Sequence, residues 1–120
     1  MMKKFALMLS AALGTTSAAY ADRMAELNQF FEDNAVSAAY ARMCDEEPVA
    51  EELKANTMML LAVSGIEPRN IQLGSAKWGQ ILRREYATAN AKNVNCPERV
   101  SEAKARLSET QHIIQATRKP

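Results

Sequence analysis

Three short interruptions decide what this chain can become: Asp45-Glu46-Glu47-Pro48, Gly65-Ile66-Glu67-Pro68 and Asn95-Cys96-Pro97-Glu98. Each joins turn or capping residues to a proline, which the first turn of a helix tolerates and a helix interior does not. Between them apolar residues recur with a period near 3.6, and no run alternates apolar with polar as a half-buried strand would. No Asn-Gly or Asp-Gly hairpin turn occurs. The pattern predicts an all-α domain.

The segments can be read one by one. Met24, Leu27 and Phe31 make one stripe, and Val36, Ala39, Tyr40 and Met43 make another, rotated by about 120°. Asp33-Asn34 lies between them, and both residue types favour helix caps, so a kink or break is expected there. The second helix opens on the acidic Asp45–Pro48 stretch, which complements the helix dipole, and runs to about Ser64. Gly65 then closes it in a left-handed conformation, with Ile66 as the hydrophobic contact and Pro68 as the stop. A third helix is expected over roughly Asn70 to Ala91, striped by Ile71, Ser75, Trp78, Ile81, Leu82, Tyr86 and Ala89. Gly74 and Gly79 are unfavourable inside it, by about 1 kcal/mol each. Either they permit close packing beside Trp78 or the helix starts only at Ser75. The fourth helix begins at the Asn95 cap and turns Val100, Ala103, Leu107, Gln111 and Ile114 inward. The predicted fold is a small four-helix bundle, with a fifth helix if the first is broken at Asp33-Asn34.

The N-terminus reads as an export signal. Lys3 and Lys4 form a basic start, Phe5 to Leu13 a short apolar run, and Ala19-Tyr20-Ala21 an A-x-A cleavage site. The apolar run is shorter than the roughly 20 residues that span a bilayer. Residues 1–21 are therefore predicted to be a cleavable signal peptide, and residues 22–120 a single helical domain. Its removal takes Lys3 and Lys4 and no acid, so the 15 basic side chains fall to 13 against 14 acidic. A near-neutral domain is not a nucleic-acid binder, which needs a basic surface. No later apolar run reaches membrane length, so no integral membrane segment is expected after processing. The expected location is the periplasm of a Gram-negative bacterium, or the medium outside a secreting cell.

Cys44 and Cys96 are the only cysteines. Export to an oxidising compartment predicts a disulfide between them, a staple that a domain this small gains much from. There is no Cys-x-x-Cys, and with one histidine no zinc site can be completed. Met24 and His112 sit in places comparable to the haem ligands of secreted four-helix b-type cytochromes. That resemblance is one of layout only: the helical wheel turns His112 roughly 150° from its own apolar stripe, where it cannot meet an enclosed iron. No cofactor and no metal are expected.

Two features remain as candidate sites. Thr57 to Val63 is apolar nearly all round the wheel, which makes this helix either central or the bearer of an exposed patch. Met58, Met59 and Leu61 are the candidate partner surface, since flexible methionine suits adaptable contacts. Glu85 lies among Trp78, Ile81, Leu82 and Ala89 and is the candidate buried ionisable group, without a second acid, His or Ser nearby to complete a catalytic set. The acids Asp45, Glu46, Glu47, Glu51 and Glu52 read as N-terminal helix charge or as a low-pH sensor. Together these features point away from an enzyme and towards a protein-binding module. Two alternatives are a periplasmic acid or stress chaperone, whose layout of signal, short helical chain and two distant cysteines is similar, and an immunity or inhibitor protein of a periplasmic enzyme. Mass spectrometry of protein from a secreting host should find Asp22 at the N-terminus and a mass two hydrogens below the dithiol form; residues 1–21 retained in the soluble fraction would contradict the processing.

Overall fold

The computed structural model describes residues 18–89 and 94–118; most of the expected signal segment lies outside them. Four helices follow in order: α1 (Ala18–Met43), α2 (Glu47–Val63), α3 (Pro68–Ala89) and α4 (Cys96–Arg118). Among the described residues 91% are helical and none is in a strand, which makes the chain a small all-α bundle. The chain divides into two compact units, residues 1–33 and residues 34–120. The described part of the first is the N-terminal stretch of α1. The bundle is built in the second, where α2 packs against both α3 and α4.

The break expected at Asp33-Asn34 is absent, and α1 runs through it as one helix. Asp33 accepts a hydrogen bond from Gln29 one turn earlier, at 3.0 Å, so it supports the helix and does not end it. Asn34 is fully buried. Its Nδ2 donates to Thr57 Oγ1 on α2 at 2.9 Å and to Thr110 Oγ1 on α4 at 3.0 Å. Its Oδ1 accepts from Arg106 Nε at 2.8 Å. Each threonine hydroxyl in turn donates to the carbonyl four residues back, Leu53 and Arg106, at 2.7 Å. A side chain that prefers caps is held in mid-helix because the tertiary fold satisfies its whole amide, and buried amides demand this.

No residue between Asn34 and Ala41 is exposed. The fully buried ones are small: Asn34, Ala35, Ser37, Ala38, Ala39 and Ala41. At 100° per residue they cover an arc of about 200°. The stretch of α1 from Asn34 to Ala41 is thus enclosed over more than half of its circumference. Small side chains let neighbouring backbones approach closely, and alanine is also the strongest helix former. On α2 the core face is Ala50, Leu53, Thr57, Leu60 and Leu61. On α4 it is Ala103, Thr110 and Ile114, with Gln111 exposed where an inward position was expected.

The connections follow backbone chemistry. After α1, Asp45 adopts φ 63°, its N–H donates to Arg42 O at 3.1 Å, and the Glu46 N–H donates to Ala41 O at 2.8 Å. After α2, Gly65 at φ 89° repeats the same pair of bonds, Gly65 N–H to Ala62 O and Ile66 N–H to Leu61 O. Both are Schellman closures, and the second has the buried Ile66 as its hydrophobic partner, as expected. Pro68 is the first residue of α3 and not merely a stop, so Gly74 and Gly79 both lie inside the helix. At the start of α4, Asn95 Oδ1 accepts the Glu98 N–H at 3.2 Å while Asn95 Nδ2 donates to Glu98 Oε1 at 3.1 Å. The disulfide joins Cys44, just past α1, to Cys96, the first residue of α4, with Cα atoms 5.5 Å apart. It therefore ties an end of α1, not an entrance of α2, to the entrance of α4.

Two expected outcomes test this description. Asn34→Ala should cost about 3 kcal/mol, since it opens a cavity and removes three buried or part-buried hydrogen bonds at once; Thr57→Val, which removes one acceptor only, should cost about 1 kcal/mol. Equal costs in urea melts would show that the amide is not the hub. Separately, Asp45→Gly should stabilise the fold by about 0.5–1 kcal/mol, because a left-handed backbone strains every residue with a Cβ, whereas Gly65→Ala should destabilise it by a similar amount.

Candidate functional site

Glu85, the residue singled out for burial, sits at the edge of the α3 core face with 16% of its side chain exposed. Arg84 meets the same carboxylate oxygen with Nη2 at 3.0 Å and Nε at 3.2 Å. It is an ion-paired rim residue. His112 is exposed, its Nδ1 3.2 Å from the Ser108 carbonyl of its own helix. Among the described residues no group of three His, Cys, Asp or Glu is placed to hold a metal. No described helix is long and apolar enough to cross a membrane.

The three candidate surface residues separate. Leu61 is 2% exposed and belongs to the core, so it leaves the surface set. The wheel explains this: eleven residues on from Ala50 it returns to within about 20° of the same direction. Met58 is half-buried, and Met59 is 45% exposed. Met59 lies in an exposed line with Pro48, Glu52, Ala55 and Ala62, whose spacing of four and three residues keeps them on one face of α2. The line is acidic near the start of the helix and apolar near its end. A second large apolar side chain, Leu73 on α3, is 58% exposed, and nothing in the periodicity marked it because it falls off the α3 stripe.

The acidic stretch at the start of α2 is held by a cation from α1. Arg42 lies 3.6 Å from Glu47 and 3.4 Å from Glu51. These pairs are largely solvated and contribute little to stability.

Two of the concave regions lined by described residues bear on function. The larger, about 470 Å³, is lined by Tyr40, Thr88, Val94, Asn95, Arg99 and Glu102, among others. Its charges already answer one another: Arg99 stacks 3.8 Å from the centre of the Tyr40 ring and reaches Glu102 at 3.6 Å, and Glu98 is held by Asn95. The smaller, about 120 Å³, lies where α1, α2 and α3 meet, with Trp78 among its walls. Spacing along one helix carries no signal for either, because each draws its walls from three.

Comparison with known proteins found no counterpart: no protein-family model matches the chain, and no curated protein or solved structure is significantly similar to it.

Proposed function

We propose that the protein is an exported, periplasmic or secreted helical module that acts by binding another protein, through the outward face of α2, and not by catalysis. The observation that supports this reading is Met59, a large flexible side chain 45% exposed in the middle of a helix face. Ala55 and Ala62 flank it on the same line and are exposed as well. Small residues on either side of one protruding thioether form a surface on which a partner helix can lie close, with the methionine as an adaptable anchor. Rigidity behind the face comes from Leu53, Leu60 and Leu61, which fix α2 in the core. A preorganised face loses little on binding.

The test replaces both methionines. Met58→Gln with Met59→Gln should cost the isolated fold no more than about 2 kcal/mol, since Met59 is exposed and Met58 half-buried. The same variant, tagged and expressed in the exporting host, should lose the periplasmic partner that the wild-type protein captures. A double variant that is stable and still captures that partner overturns the assignment of this face.

A further inference from the structure

We propose that the cavity between α1, α2 and α3 binds a carboxylate carried on a short apolar stem, with Trp78 forming the floor and Lys54 meeting the charge. The cavity measures about 120 Å³. A void of that order holds a group of about four to six non-hydrogen atoms. Ala38, Ala50, Trp78 and Leu82 give it apolar walls, and Arg42, Glu51 and Lys54 stand at its polar side.

The charges at that rim are unequal. Arg42 is 3.4 Å from Glu51 and 3.6 Å from Glu47, so the Glu51 carboxylate is already matched from α1. Lys54 is half-buried and makes no ion pair or side-chain hydrogen bond with any described residue. Arg42 is the cation those carboxylates engage, and the Lys54 ammonium is the group at the cavity left without a partner among the described residues. A half-buried ammonium beside apolar walls favours an anion whose remaining surface is apolar. An acid with a short hydrocarbon stem has that composition.

Gly79 is a second, independent observation. A glycine in mid-helix lowers helix stability, and close packing against a neighbouring helix is the usual reason to find one. That reason is missing here. A Cβ built at Gly79 would approach only the Arg83 guanidinium of its own helix, at an ordinary 3.6 Å. What the missing side chain does leave open is the wall of this cavity. The glycine lies one residue after the tryptophan and lines the same cavity as Lys54 of α2.

The ligand chemistry has two sources, a free small acid or the glutamate side chain of a partner protein. The proposal does not rest on the outward face of α2, and its test does not involve that face. Trp78 is the one tryptophan of the chain, so its fluorescence reports the cavity without interference. Isobutyrate, titrated into the purified protein at constant ionic strength, should change the emission saturably with a dissociation constant on the order of millimolar, as befits so few atoms. Isobutyramide, its neutral counterpart, should bind more weakly. Lys54→Met should weaken isobutyrate by about two- to fivefold and leave isobutyramide unaffected. Gly79→Leu, which fills the cavity from a helix position that welcomes leucine, should abolish both responses while the melting midpoint holds or rises. N-acetylglutamate N-methylamide binding more tightly than isobutyrate would assign the site to a partner's side chain, and the reverse order to a free acid. No saturable change with either acid, or an affinity for acids indifferent to Lys54→Met, overturns the proposal.

Discussion

Asn34 brings two donor hydrogens and an acceptor oxygen to the place where α1, α2 and α4 meet, and Thr57, Thr110 and Arg106 take up all three. Apolar contacts between helices are forgiving, since a small slide exchanges one methyl neighbour for another. An amide without water is not forgiving. If α2 or α4 moved by a single residue, a buried donor would lose its partner at a cost of about 1–3 kcal/mol, more than most apolar exchanges of that size incur. Besides Trp78, the core of this bundle is assembled from alanine and a few leucines and isoleucines, which set density but specify register weakly. The polar hub supplies the register.

Around that hub the rest of the architecture is subordinate. The small residues of α1 allow α2 and α4 to come close enough for a carboxamide to reach two threonines at once. The Schellman turns at Asp45 and Gly65 start α2 and α3 at fixed points, and the Asn95 cap does the same for α4. The disulfide then secures the end of α1 against the beginning of α4. Rim charges such as Arg42 with Glu47 and Glu51 add solubility and some orientation, and little energy.

Helix boundaries were legible in the sequence because their causes are local. Gly65, Pro48 and Asn95 act through backbone angles and capping bonds that need no knowledge of the fold. The cysteine pair was legible as well, from its uniqueness and from an N-terminus that reads as an export signal. The misreadings share one cause: residues whose role depends on distant partners. Asp33-Asn34 resembles a cap until Thr57 and Thr110, 23 and 76 positions away, are brought to it. Ala35, Ser37 and Ala38 are too small to register as an apolar stripe, so the periodicity does not mark this buried stretch of α1. The apolar spacing of α4 turns Gln111 inward, whereas the structure buries Thr110, one residue earlier, because its hydroxyl serves Asn34. Leu61 and Met59 were grouped as a surface although two residues of helix separate their directions by about 200°. The cavity beside Trp78 gathers walls from three segments, a combination that no single stretch of chain announces.

The position of the disulfide has a mechanical consequence. Cys44 and Cys96 close a covalent ring that contains the whole of α2 and α3, while α1 and α4 leave the ring in the two directions of the chain. Tension applied between the two ends would run along α1, cross the sulfur bridge and leave along α4. The hairpin of α2 and α3 would carry none of it. Under traction the outer helices can peel while the enclosed pair, with Met59 on its outer face, is bypassed by the load; once the bridge is reduced, the same pull unravels all four.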